Sequence, residues 1–561
     1  MKRAVLILSA LLCMLSLDAA ERRLIVLRAE FADVKFSVTQ EHTDSLMQEA
    51  KRWLDCQFAP KDSVTIDLGP IVTLKEDLAR YGANSTSSRD AMLYKAVIEA
   101  CEESDPEVDF RSYDYGSNGR VDNVYIIMAG QSEAEGGGED CIWPRHGRLK
   151  DYGASLTLDG RKIDDFCVCT ETSALGTFCH EYMHSLGLPD FYDTDDEGSG
   201  GLCTAMWGSI STMDLGCENC GGTLPPNLGA AELEYLGLGE CLTLEKGAYI
   251  LQPIAQSRQY VKAETGTDGE FYLFECRDGS LWDAGIGGSG MLVTHVDRSE
   301  SAAGWSDYYK RNLTAAKRWE LNEVNCRPDR PCVQIIAPLP TAASAYEAFF
   351  PADGADTFLE GIAPLAITDI RREEGGAVSF NVIEPVKVRD GMSFQDAVIL
   401  NWTVDSLLFE GCRCTVSLED GEEEARVEQA SGTGAEFTHT LQRLSPGTSY
   451  QVTISVTDSD GNTFSTLTEV STKTWRSDSR PYIWLSGAER NADGSFVEGA
   501  RIPLRVYNAP DAVQVRWTMD GTPVSTGADG FYTITGSGEL KAEVVREDGG
   551  TDIIIKKIIV K

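Results

Sequence analysis

One short stretch limits what this 561-residue chain can fold into more than any other: GTFCHEYMHSLGLPDFYDTD, residues 176–195. It carries two of the chain's six histidines. Leu175, Phe178, Cys179, Tyr182, Met183 and Leu186 recur at the three-to-four spacing of a helix with one apolar face, which predicts a helix over residues 173–187. His180 and His184 lie off that stripe and four apart, so both imidazoles leave the helix on one side. That spacing suits two ligands of a single ion, with Glu181 beside them. A helix with two ordinary surface histidines has the same spacing.

The residues that follow narrow the choice. Gly187 stands where a left-handed residue ends a helix, and the reversed chain then offers Asp190 as an oxygen donor. The string H-E-x-x-H-x-x-G-x-x-D is the metzincin arrangement with aspartate in place of the usual third histidine. In H-E-x-x-H sites two histidines hold zinc and the glutamate takes a proton from a water activated by the metal. Asp190 as a mere turn cap is the competing reading, and Asp193, Asp195, Asp196 or Glu197 could replace it as ligand or bind calcium. A methionine turn under the metal is expected in CTAMWGSISTMDLG, with Met213 preferred over Met206, although methionine also fills cores anywhere.

Bulk composition excludes other classes. Fifty basic against 88 acidic side chains give a net charge of −38, which argues against nucleic acid, whose phosphates need clustered Lys and Arg. Lys2 and Arg3, an apolar run from Ala4 to Leu17, and Ala19–Ala20 read as a secretory signal peptide over residues 1–20. No later run is long and apolar enough to span a bilayer, so an exported chain, secreted or at the cell surface, is expected, with no integral membrane segment. Sixteen cysteines in an exported chain suggest disulfides.

Pattern changes divide the chain. Residues 21–245 mix apolar strands (LIVLRAEF, VDNVYIIMAG) with helical segments; residues 246–384 (YILQPI, FYLFEC, GMLVTHV) read as β-rich. Residues 385–476 alternate with period two and carry LSPGTSYQVTISV, which resembles the fibronectin type III strand with a corner tyrosine, here Tyr450; residues 477–561 look immunoglobulin-like. The expected fold class is multidomain α+β: a metzincin-like α/β domain with a β-rich extension, then two all-β sandwiches.

Over about residues 22–384 the chain resembles the immune inhibitor A family of secreted bacterial metallopeptidases. The resemblance rests on FCHEYMHSLGLPDFYDTD, MWGSISTMD, YDYGSNGRVDNVYIIMAG and FYLFECRDGSLWDAGIGGSGMLVTHVD. It implies a zinc endopeptidase acting on protein or peptide substrates, with His180, His184 and Asp190 as metal ligands and Glu181 as general base. It also implies structural calcium, for which Asp114, Asn118 and Asp122, or Asp193 and Asp195, are candidates; a metal-free turn explains the first group equally. Members often carry a long propeptide, whereas LIVLRAEF follows the signal closely, so latency by a prodomain is not expected. The alternative is an exported adhesion protein with a structural or vestigial zinc site, its sandwiches facing host or glycoprotein surfaces. The intact Glu181 argues against it, because a structural site does not need that residue. His295, in an apolar strand, reads as structural; nothing in the spacing places His146.

Overall fold

Residues 24–27 within β1 (Ala20–Glu30) and the whole of β3 (Val124–Met128) are buried apolar runs, as strands covered on both faces require. In the computed structural model they form the centre of a five-stranded sheet. β2 (Asp62–Thr73) pairs parallel with β1, β1 with β3, and β3 with β5 (Asp165–Thr170); β4 (Arg145–Arg148) closes one edge antiparallel to β5. Helix α1 (Gln40–Phe58) packs Met47, Trp53 and Leu54 on one face of the sheet; α2 (Leu93–Ser104) packs Ala96, Val97 and Ala100 on the other.

Helix α3 (Leu175–Ser185) shares the α1 face. Its Phe178 ring stacks on Tyr125 of β3 at 4.1 Å between centroids. After it come α4 (Ala230–Tyr235) and a second five-stranded sheet, in chain order β6 (Glu240–Thr243), β7 (Gln259–Glu264), β8 (Glu270–Arg277), β9 (Gly290–Asp297) and β10 (Val333–Ile335), hydrogen-bonded in the same spatial order. Helix α5 (Ala315–Glu320) precedes β10. The β-rich reading of YILQPI, FYLFEC and GMLVTHV agrees with these strands and with Gly247–Leu251.

Described residues are 20–561 apart from 86–88, 353, 409–410, 419–424, 428–435, 443, 460, 475–479, 484, 486–487, 492 and 528–530. The expected signal peptide lies outside them but for Ala20. Two compact units result: one runs to Ile362 and takes in Ile367–Val382, the other comprises Ala363–Ala366 and Ile383–Lys561. The second unit is all-β. Its sheets include Val386–Ser393, Ala397–Val404 and Glu436–Gln442 around the buried Trp402, and Ala512–Met519, Gly538–Arg546 and Thr551–Ile558 over Ile502 and Leu540. Tyr450 accepts a hydrogen bond at its hydroxyl from the Ser445 amide at 2.6 Å, the contact expected of a corner tyrosine.

Among the described residues no disulfide appears. All fifteen described cysteines are free thiols, and most are buried. Cysteine count and export carry no information on which sulfurs meet; here the thiols serve as small core residues. Among the described residues no helix is long and apolar enough to cross a membrane.

Candidate metal centre

Helix α3 ends as its sequence predicts, at a Schellman turn. Gly187 has φ +102, its amide donates to the His184 carbonyl, and the Leu188 amide reaches back to the Met183 carbonyl. The turn aims the Leu188 carbonyl at the helix, where it lies 2.7 Å from His184 Nδ1. At the other end Gly176 is required by close approach, since a Cβ there would meet the Cys217 carbonyl oxygen at 1.7 Å. The apolar stripe is buried from Leu175 to Met183 and half-buried at Leu186. His180 and Glu181, off the stripe, are buried too, at 7% exposure each, because they face a cleft rather than the surface.

His180 Nδ1 lies 2.9 Å from the Thr212 carbonyl. A carbonyl only accepts, so in both rings Nδ1 carries the proton and the Nε2 lone pair points into the site. The two Nε2 atoms stand 3.1 Å apart, and Asp190 Oδ1 lies 3.1 Å from one and 3.2 Å from the other. Asp190 Oδ1 is buried with no hydrogen-bond partner of its own. Two lone pairs and a carboxylate oxygen facing each other repel unless a cation or extra protons lie among them, so this donor set fits a metal ion. The electrostatics agree. Burial disfavours charge on His180, but Asp190 and the Cys217 thiol outweigh it and hold its pKa well above the usual imidazole value. Burial likewise opposes ionisation of Asp190, yet His184 and His180 hold its carboxyl well below the usual range. Glu181 is pushed up by burial, partly countered by the flanking imidazoles.

Met213 is fully buried; its carbonyl accepts from the Phe191 amide at 2.7 Å, and the preceding Thr212 holds His180. Two functional neighbours left no local signal in the sequence. Asn322, just after α5, accepts from the Asp190 amide and donates to Asp190 Oδ2, both at 2.7 Å. The Tyr192 ring stacks on His180 at 6.3 Å. A cavity of about 330 Å³ opens over the centre beside β4, with Arg145, His146 and Tyr192 in its wall. Another of about 690 Å³ also borders His180 and Glu181, with Leu215 and Cys217 in its wall. His146 therefore lines the cleft, held by Asp165 at 2.9 Å. His295 is structural, paired to Glu270 at 3.0 Å.

The calcium expectation gains no support. Asp114 gives its oxygens to the amides of Asn118 and Gly119 and to Arg161, and Asp122 accepts from the Tyr115 amide, so this turn satisfies itself. Asp193 and Asp195 do come together, but with Cys326 as third donor, a soft ligand that calcium does not take.

The donor set defines the class: a protein whose two histidines and aspartate form a candidate metal centre bordering a cleft. Residues 26–238 match the family described as immune inhibitor A peptidase M6, catalytic domain. Pre-pro-metalloprotease PrtV of Vibrio cholerae serotype O1 is 26% identical over 281 residues, 39% of this chain and 30% of that protein. Immune inhibitor A of Bacillus thuringiensis subsp. alesti is 28% identical over 194 residues, 29% of this chain and 28% of that protein. The chain thus spans under a third of the length of these curated relatives. Among solved structures, a two-domain fibronectin type III segment of chicken tenascin matches 31% of this chain and 97% of its own at 18% identity and a TM-score of 0.13.

Proposed function

We propose that the first unit is a zinc-dependent endopeptidase with a metzincin-like core, exported to act on extracellular proteins. The observation that carries this reading is the convergence of His180 Nε2, His184 Nε2 and Asp190 Oδ1 beside the buried Glu181. The names of the relatives, a metalloprotease and immune inhibitor A, supply the peptide substrate. Two nitrogens and one oxygen are a donor set zinc accepts, and bound there it would acidify water and polarise a carbonyl.

The chain's own residues do the rest. Glu181 takes the proton of the attacking water on a carboxylate oxygen and passes it to the leaving amine nitrogen. β4 is an edge strand along the cleft, so an extended substrate has a backbone ladder to pair with. In this reading residues 21–245 form the peptidase domain, 246–384 its extension, and 385–476 and 477–561 two sandwiches that hold protein or glycoprotein surfaces. Glu181→Ala is expected to retain bound zinc while casein cleavage falls by about 10²- to 10⁴-fold. Undiminished cleavage by that variant would overturn the mechanism.

A further inference from the structure

The string FYLFECRDGSLWDAGIGG has no part in the site so far, and it contributes a fully buried charge cluster. Arg277, with no exposed surface, donates through Nε and one terminal nitrogen to the two oxygens of Asp283 at 2.9 and 2.8 Å, and through the other to Glu275 at 3.1 Å. The cluster is closed against one segment of chain, residues 226–232. Asp283 accepts from the Asn227 amide at 2.9 Å, Arg277 donates to the Asn227 carbonyl at 3.2 Å, and Glu275 accepts from the Ala230 amide. Gly229 is seated against it so closely that a Cβ would lie 3.1 Å from an Arg277 nitrogen and 3.2 Å from Glu275.

That segment in turn holds the floor of the metal centre at two points. Pro226 accepts at its carbonyl from the Thr212 hydroxyl at 2.9 Å, and Glu232 accepts from the Ser211 hydroxyl at 2.6 Å. Ser211 Oγ also accepts from the Met213 amide at 3.0 Å, and the Thr212 carbonyl between them fixes the tautomer and orientation of His180. Every side chain in this relay is buried.

We infer that Arg277 is a positioning residue for the metal centre: from the β-rich extension, outside the family-matched stretch, it fixes residues 226–232 and through them the Thr212 carbonyl that orients His180. A buried ion cluster is a poor route to stability as such, since burial costs the charges their hydration, but it holds one geometry. The inference rests on the metal-centre reading above.

The test uses the full chain, with zinc affinity measured by chelator competition and hydrogen exchange of residues 209–216 measured in the metal-free protein. Arg277→Met is expected to weaken zinc binding about tenfold or more, the usual effect of losing an outer support of a metal ligand, and to speed exchange across 209–216. Ser211→Ala, which cuts one link and leaves the Arg277 cluster whole, is expected to weaken zinc binding in the same direction and serves if Arg277→Met does not fold. His295→Gln, which breaks another ion pair on β8 and β9, is expected to do neither. Wild-type zinc affinity and floor protection in both folded variants would overturn the inference. Absence of zinc binding by the wild-type chain would instead overturn the metal-centre reading itself.

Discussion

At the scale of single residues, the site depends on groups that never touch a substrate. Asn322 satisfies both the backbone amide and one carboxylate oxygen of Asp190, leaving Oδ1 as its sole free donor. Asn322→Ala is expected to weaken zinc binding about 10- to 100-fold with the fold retained, as measured by chelator competition and circular dichroism; unchanged affinity would exclude that role. Asp90 gives a pH dependence. Its carboxyl, fully buried beside Arg145, is pushed up to about 6 by burial, which Arg145 only partly offsets. Its folded pKa lies above the unfolded value of about 4, so the folded state binds the extra proton and stability falls as pH rises from about 4 to about 6. Asp90→Asn is expected to flatten that slope in urea unfolding measured at a series of pH values; a slope equal to wild type would refute the assignment.

Among the elements, α3 was the most legible in the sequence, and for physical reasons. Its stripe, its histidine pair and its glycine terminator are all local, and local periodicity is what a sequence displays. Gly187 at φ +102 is the clearest case: Gly187→Ala is expected to lower the unfolding free energy by about 1–2 kcal/mol. Gly176→Ala, whose methyl group would overlap the Cys217 carbonyl, is expected to cost more. Denaturant titration of both variants orders them, and the reverse order would refute the close-approach account. Two strands of the first sheet and those of the β-rich extension were visible as short apolar runs. Asn322 and Arg277 were not, because each acts on a partner more than forty residues away in the chain, beyond the reach of local periodicity. The calcium expectation failed at Asp114 for the opposite reason: an oxygen-rich turn looks the same whether its acceptors serve a cation or its own amides.

Taken as a whole molecule, the first unit places its ligand-bearing helix against one sheet, Arg277 on a strand of the other, and Asn322 in the turn after α5. Metal binding and folding should therefore be linked. Addition of zinc at about a thousand times its dissociation constant is expected to stabilise the unit by about 4 kcal/mol. Differential scanning calorimetry with and without chelator checks this, and an unmoved transition would count against a preformed centre. The family-matched stretch ends at residue 238, whereas Arg277 and Asn322 lie beyond it. In inheritance this makes the interval between 238 and 322 a poor place for gene recombination. A chimera joined there would keep every ligand and lose what aims them, so descent should pass this region on as one block.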